Sequence, residues 1–118
     1  MRAGWFVVVA AVLASAAAYA QNLAGVYDVQ GTNPDGSPYS GEARITPTSD
    51  TTCIIEWTTG ETTSIGICMR SGDVFAASYV LGSDSGLVVY RMKPDRSLDG
   101  VWTVANQPGN GTEVLTPK

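Results

Sequence analysis

The sequence predicts an all-β protein, a single small antiparallel up-and-down barrel of about eight strands. Three observations favour this fold. Short runs that alternate apolar and polar residues recur along the chain, with turn-forming residues between them. No helical periodicity follows residue 20. An early run, Leu23–Val29, and a late run, Leu98–Val104, share the pattern Leu-x-Gly-Val-aromatic-x-Val, which indicates a sheet whose ends meet.

The first 20 residues have the features of a secretory signal peptide. Arg2 precedes an apolar stretch from Trp5 to Ala16, and Ala18-Tyr19-Ala20 forms a small-x-small cleavage site. The apolar stretch is shorter than the roughly 20 residues of a spanning helix, which disfavours the alternative of a membrane anchor. We therefore expect a signal peptide at 1–20 and a secreted or periplasmic barrel domain at 21–118, with no membrane association after cleavage.

Size and charge limit the classes of partner. Removal of 20 residues from 118 leaves 98, enough for one domain with one core. These 98 residues carry 6 basic and 11 acidic side chains, a net charge of −5. Because such a surface repels nucleic acid and anionic membranes, neither is an expected partner.

The first two strands are separated by dense turn chemistry. The first is expected at Gly25–Gln30, and the residues Asn-Pro-Asp-Gly at 33–36 fit a type I turn. The second, Tyr39–Thr46, alternates apolar and polar residues and ends at Pro47. One face of this strand is therefore expected to be buried.

The third and fourth strands, Thr51–Thr58 and Thr62–Arg70, are predicted to form a disulfide-bonded hairpin. A hairpin centred between residues 60 and 61 places Cys53 directly opposite Cys68. An isolated cysteine pair is usually oxidised in an exported protein, and a metal site is disfavoured because the chain has no histidine. We expect a four-residue loop, Thr59–Thr62, rather than a two-residue turn.

The fifth strand, Val74–Val80, is predicted to follow a turn with its tip at residues 71 and 72. This turn would pair Cys68 with Phe75 and Ser64 with Tyr79. Phe75 and Tyr79 would then share the inner face of the sheet with the apolar residues of the third strand.

The last three strands are expected at Leu87–Met92, Leu98–Val104 and Thr112–Thr116, after a loop over residues 81–86. Pairing residue 92 with residue 98 places Tyr90 opposite Gly100. An aromatic ring over a cross-strand glycine supports a sharply bent strand, which favours a closed sheet.

Eight strands joined by short loops can close into a barrel, and a β-sandwich is the alternative. A barrel of this size is either filled by side chains or holds one small ligand. Five aromatic residues of the predicted interior would line such a ligand pocket or fill the core: Tyr27, Trp57, Tyr79, Tyr90 and Trp102.

The sequence predicts no enzyme activity, no cofactor and no metal. Without histidine, a Ser-His-Asp or Cys-His arrangement is impossible. Glu56 neighbours Trp57 but belongs to the opposite face of its strand, so it is expected to point outward. Glu113 could face the interior opposite Trp102, where a hydrogen-bonded structural role is the expectation.

Six motifs span nearly the whole chain after residue 24. They are Gly25-x-Tyr27-x-Val29-x-Gly31-Thr-Asn-Pro-Asp-Gly36, Tyr39-Ser-Gly41, Ile55-Glu-Trp57, Val89-Tyr90, Leu98-x-Gly100-x-Trp102 and Gly111-Thr-Glu113-x-Leu115. They resemble a largely uncharacterised family of small secreted bacterial β-barrel proteins, in which glycine stands where this chain has Cys68. Some members are labelled fibronectin-binding, which implies an extracellular matrix ligand and assigns no site residue. The layout also resembles lipocalin-type and avidin-type barrels, which bind small ligands.

These observations predict a non-enzymatic binding protein that is a monomer or a weak homo-oligomer. Its partner is either a protein on the outer face, where Ile54, Ile65 and Ile67 come together, or a small molecule carried in the barrel. An acidic, disulfide-bonded barrel would also suit an envelope inhibitor of a cationic hydrolase such as lysozyme, which is the alternative function.

Overall fold

The computed structural model describes residues 23–118. The expected signal peptide at 1–20 lies outside the described residues. The described chain forms eight antiparallel strands, each hydrogen-bonded to the next in sequence, and the last strand pairs with the first to close a barrel. The predicted all-β barrel is therefore confirmed, and the sandwich alternative is wrong.

The strands are β1 (Gly25–Thr32), β2 (Pro38–Pro47), β3 (Thr52–Thr59), β4 (Thr62–Ser71), β5 (Val74–Leu81), β6 (Asp84–Met92), β7 (Leu98–Val104) and β8 (Gly111–Pro117). The largest difference from the expected bounds is the start of β6, which includes three residues assigned to a loop. This connection is a two-residue turn because Gly82 adopts a left-handed conformation, with φ of +63°. Within residues 23–118 no helix is long and apolar enough to cross a bilayer.

The predicted disulfide hairpin is confirmed. Cys53 on β3 lies opposite Cys68 on β4, the two are bonded, and their Cα atoms are 4.9 Å apart. The expected four-residue loop is wrong, because Thr59 pairs with Thr62 and leaves a two-residue turn. Gly60, the first residue of that turn, has φ of +63°, a backbone conformation that favours glycine.

The predicted register between β4 and β5 is wrong by two residues. Cys68 pairs with Ala77 rather than Phe75, and Tyr79 pairs with Gly66 rather than Ser64. The turn consists of residues 72 and 73, with glycine at its first position and φ of +61°. Because side chains alternate with period two, the error leaves every residue of β5 on the face predicted for it.

The cluster of buried hydrophobic residues extends to the end of the barrel that carries the β2–β3, β4–β5 and β6–β7 connections. Leu23 and Tyr27 cover this closed end, and the Tyr27 hydroxyl donates a hydrogen bond of 2.9 Å to the Leu23 carbonyl oxygen. Phe75, Leu98 and Leu115 are fully buried beneath them. This end of the barrel is therefore filled by side chains.

Candidate functional site

A cavity of about 290 Å³ lies at the opposite end of the barrel, between the connections that follow β1, β3, β5 and β7. Its rim is polar and includes Thr59 and Thr62 of the β3–β4 hairpin. Four aromatic residues and one acid line it further in: Tyr39, Trp57, Tyr79, Trp102 and Glu113. A concave, mostly apolar site with a few polar groups is typical of small-molecule pockets.

Three of the four rings lie over a glycine on the neighbouring strand. The pairs are Tyr39–Gly31, Tyr79–Gly86 and Trp102–Gly111. A Cβ atom at these glycines would come within 2.0 to 2.3 Å of a ring carbon, so any larger residue would displace the ring. Each of these rings therefore lies against the backbone of the neighbouring strand and also borders the cavity.

The rings also contact each other edge to face. The centroids of Tyr39 and Trp102 are 6.1 Å apart with an interplanar angle of 73°, and those of Trp57 and Tyr79 are 5.2 Å apart at 61°. The Trp102 indole N–H donates to the Thr112 carbonyl oxygen at 3.3 Å. Edge-to-face packing and backbone hydrogen bonds restrict the ring orientations, so the wall of the cavity is preorganised.

The carboxylate of Glu113 accepts hydrogen bonds from three side chains. Tyr39 Oη donates to Oε1 at 2.7 Å, Trp57 Nε1 donates to Oε2 at 3.1 Å, and Tyr90 Oη also donates to Oε2. The Trp57 N–H is shared with the Tyr90 hydroxyl at 3.3 Å. Glu113 is buried, and these donors replace the water that a carboxylate would otherwise bind.

The phenols around Glu113 are held in their protonated form. Burial, reinforced by the Glu113 carboxylate, raises the pKa of Tyr39 and of Tyr90 well above the usual value. The same two causes raise the pKa of Tyr79 to about 12. The hydroxyls of Tyr39 and Tyr90 therefore remain hydrogen-bond donors to the carboxylate across the physiological pH range.

The Glu113 carboxylate has no cationic partner among the described residues. Within residues 23–118, every ion pair joins groups on the outer surface, such as Arg91–Asp73 and Lys93–Asp99, and none includes Glu113. The same part of the chain contains no group of three or more cysteine, aspartate or glutamate residues arranged to hold a metal. The site presents a single buried carboxylate among aromatic rings.

The five aromatic residues predicted for the pocket occupy three levels of the barrel. Trp57, Tyr79 and Trp102 line the cavity. Tyr90 lies beneath the lining, is fully buried, and contributes through its hydrogen bond to the carboxylate. Tyr27 does not reach the cavity, because β1 places it at the closed end of the barrel.

Sequence reasoning missed Tyr39 and misplaced Glu113. Glu113 faces inward, but it pairs with Gly100 on β7 and not with Trp102. Tyr39 pairs with Gly31 across the β1–β2 hairpin. The signal that could have found Tyr39 is the repeated pairing of an aromatic residue with a cross-strand glycine.

The chain matches no protein-family model and no curated protein. Its fold is similar to that of designed barrels. A redesigned β-barrel, b11L5F_LGL, has a TM-score of 0.73 and 18% identity, covering 84% of this chain and 94% of that one. A second, mFAP1 bound to DFHBI, has a TM-score of 0.70 and 22% identity, covering 82% and 96%. A de novo designed fluorescence-activating barrel has a TM-score of 0.67 and 15% identity, covering 84% and 96%.

Proposed function

We propose that this protein is a non-enzymatic binding protein that takes a small aromatic molecule into the open end of its barrel. The observation that carries the proposal is the cavity of about 290 Å³, walled by aromatic rings with a buried carboxylate further in. Aromatic walls with few polar groups favour ligands that have a flat apolar body.

The fixed orientation of the rings supports binding rather than simple core filling. Binding costs free energy when side chains must be ordered, and this cost is small where the wall is already held in place. The rings of Tyr39, Tyr79 and Trp102 are held by the glycines beneath them. The similar barrel mFAP1 binds DFHBI, which supports the choice of a small ligand for this chain by fold analogy.

We propose a secreted or periplasmic location for this binding protein. The Cys53–Cys68 disulfide supports it, because disulfides persist in oxidising compartments and are rare in the cytosol.

The test is a titration of the purified, disulfide-bonded protein with naphthalene, toluene and DFHBI. The indole N–H signals of Trp57 and Trp102 are followed by ¹H–¹⁵N NMR, since both rings line the cavity. We expect saturable shifts of both signals with at least one probe. Absence of a saturable shift with all three would show that the proposal is wrong.

A matched pair of variants locates the binding. Ser64 lines the cavity, whereas its neighbour Thr63 is exposed on the outer face of β4. Ser64→Trp should fill the cavity and abolish the shifts, and Thr63→Trp should leave them unchanged. If both variants lose the shifts equally, the probes bind outside the barrel.

A second candidate function, protein binding on the outer face, is favoured by a patch of exposed aliphatic side chains on the β3–β4 hairpin. Ile54, Ile65, Ile67 and Met69 are 40, 55, 72 and 59% exposed. Contiguous apolar surface of this kind is typical of interaction sites. We propose an extracellular matrix protein such as fibronectin as the partner to test.

Surface plasmon resonance on immobilised fibronectin tests the second candidate. Binding to immobilised lysozyme, measured in the same experiment, tests the envelope-inhibitor alternative. Ile67→Glu should abolish binding to fibronectin. Val114→Glu is the control, because Val114 is an exposed aliphatic residue on β8, away from the hairpin. No response of the wild-type protein on fibronectin would reject this candidate.

A further inference from the structure

Building on the proposed function, we propose that the ligand of the cavity is an organic cation, whose substituted ammonium group is held among the aromatic rings and beside the Glu113 carboxylate. We call the rings of Tyr39, Trp57, Tyr79 and Trp102 the aromatic cage. These four residues and Glu113 line the same cavity.

Three rings of the aromatic cage lie against the wall of the barrel and border the cavity. Tyr39, Tyr79 and Trp102 each lie over a wall glycine, so the side of each ring away from the glycine is available to a ligand in the cavity. The face of an aromatic ring carries negative electrostatic potential and attracts a cation within about 6 Å of the ring centroid. Several rings around one cavity can therefore hold a quaternary ammonium group that has no hydrogen bond to donate.

The buried charge of Glu113 provides the second attraction. The carboxylate is buried, and no Lys or Arg in residues 23–118 forms an ion pair with it. Three donors stabilise it without neutralising it. Because a buried charge is costly unless it is paired, a cation entering the cavity would supply the counter-charge that no residue of the described chain provides.

The hydrogen-bond pattern also leaves an acceptor site open. Glu113 Oε2 accepts from Trp57 and Tyr90, whereas Oε1 accepts from the Tyr39 side chain. A carboxylate has roughly four lone-pair sites, so Oε1 can accept one further bond. A ligand with an N–H group can therefore use both the charge and this free acceptor.

The experiment compares three probes that share a phenyl ring and differ in the charge of a bulky substituent. They are phenyltrimethylammonium, its neutral isostere tert-butylbenzene, and the anion benzenesulfonate. Their affinities for the purified, disulfide-bonded protein are measured by NMR titration of the Trp57 and Trp102 indole signals. We expect the cation to bind about tenfold tighter than the neutral probe, and the anion weakest.

Glu113→Gln separates the effect of the charge from that of the cavity, because glutamine has nearly the same shape and keeps an acceptor oxygen. In this variant the ratio of cation affinity to tert-butylbenzene affinity should fall about tenfold. Circular dichroism and the intact disulfide establish that the variant folds.

A second pair of variants tests the aromatic cage without changing Glu113. Tyr79→Phe keeps the ring but loses the hydrogen bond from the hydroxyl to the Thr103 carbonyl oxygen, and it should retain more of the preference for the cation than Tyr79→Leu does. Tyr79→Leu removes the ring and should weaken binding of the cation more than binding of the neutral probe. This pair of variants and the ratio of probe affinities for the wild-type protein test the cation inference even if Glu113→Gln does not fold.

The outcomes separate this inference from the proposed function. If tert-butylbenzene and phenyltrimethylammonium bind equally, or benzenesulfonate binds tightest, the cation inference is overturned and the binding function stands. An unchanged ratio of cation to neutral affinity in Glu113→Gln also overturns it. If none of the three probes binds, the cation inference is overturned, and the naphthalene, toluene and DFHBI titrations decide whether the proposed function fails as well.

Discussion

Trp102 on β7 and Gly111 on β8 lie directly opposite each other, and the indole ring occupies the space that a side chain at Gly111 would need. A Cβ atom at Gly111 would lie 2.3 Å from Trp102 Cε2 and 2.6 Å from the Thr32 carbonyl oxygen. The glycine thus allows the ring to lie against the wall of the barrel, which leaves room for the cavity beside it.

Gly111→Ala should therefore both destabilise the protein and reduce the cavity. Because the new methyl group meets a ring and a backbone oxygen, we expect a loss of about 1–3 kcal/mol in the free energy of unfolding. Thr112→Ala, on the exposed face of β8, should change it by less than about 0.5 kcal/mol. Urea denaturation of both variants checks this, and equal stability would contradict the role assigned to Gly111.

Reduction of the Cys53–Cys68 disulfide should lower stability without affecting the cavity. The bond joins residues 15 apart in sequence, and closing a loop of this length stabilises a fold by about 3 kcal/mol in the chain-entropy model. The double variant Cys53→Ala/Cys68→Ala should lose a similar amount and become insensitive to reductant. Probe binding by the reduced protein should persist, because neither cysteine lines the cavity.

Glu113→Leu should destabilise the fold more than Glu113→Gln. Leucine leaves the donors of Tyr39, Trp57 and Tyr90 without their acceptor, whereas glutamine retains one carbonyl oxygen. We expect Glu113→Leu to cost about 3 kcal/mol. Guanidinium denaturation measures both variants, and a leucine variant as stable as the wild type would mean that the network contributes only to ligand binding.

Stability should fall as the pH rises above 10. Burial raises the pKa of Tyr39, Tyr79 and Tyr90 in the folded state, so the unfolded chain loses these phenolic protons first. Fewer protons bound in the unfolded state means that the free energy of unfolding decreases with pH. This stabilisation is complete below pH 10 and decreases as the pH approaches the folded-state value, about 12 for Tyr79.

Absorbance at 295 nm checks the pH prediction. At pH 11 the native protein should contain less tyrosinate than the protein unfolded in guanidinium. The urea concentration at the midpoint of unfolding should be lower at pH 11 than at pH 9. Identical titration curves for the native and unfolded protein would contradict the burial of these phenols.

Local patterns were sufficient to predict much of the fold. Alternation with period two identified all eight strands and placed Trp57, Tyr79 and Trp102 on the inner face. The same rule made the face predictions robust, since the error at the β4–β5 turn moved the register by two residues and left the faces unchanged. The pairing of Cys53 with Cys68 followed from the centre of a single hairpin.

The height of each residue along the barrel axis could not be read from these local patterns. Tyr27 and Tyr39 both belong to strands next to the β1–β2 turn and both reach the interior, but the first packs at the closed end and the second lines the cavity. Height depends on the registers accumulated around the closed sheet, and each register depends on the type of the turn that precedes it.

The class of fold, the faces of the strands and the disulfide follow from local sequence patterns, because they depend on spacing within one strand or one hairpin. The contacts of Glu113 with Tyr39, Trp57 and Tyr90 depend on the folded barrel, since these four residues come from β8, β2, β3 and β6. Their convergence requires the barrel to close, and closure is a property of all eight strand registers together.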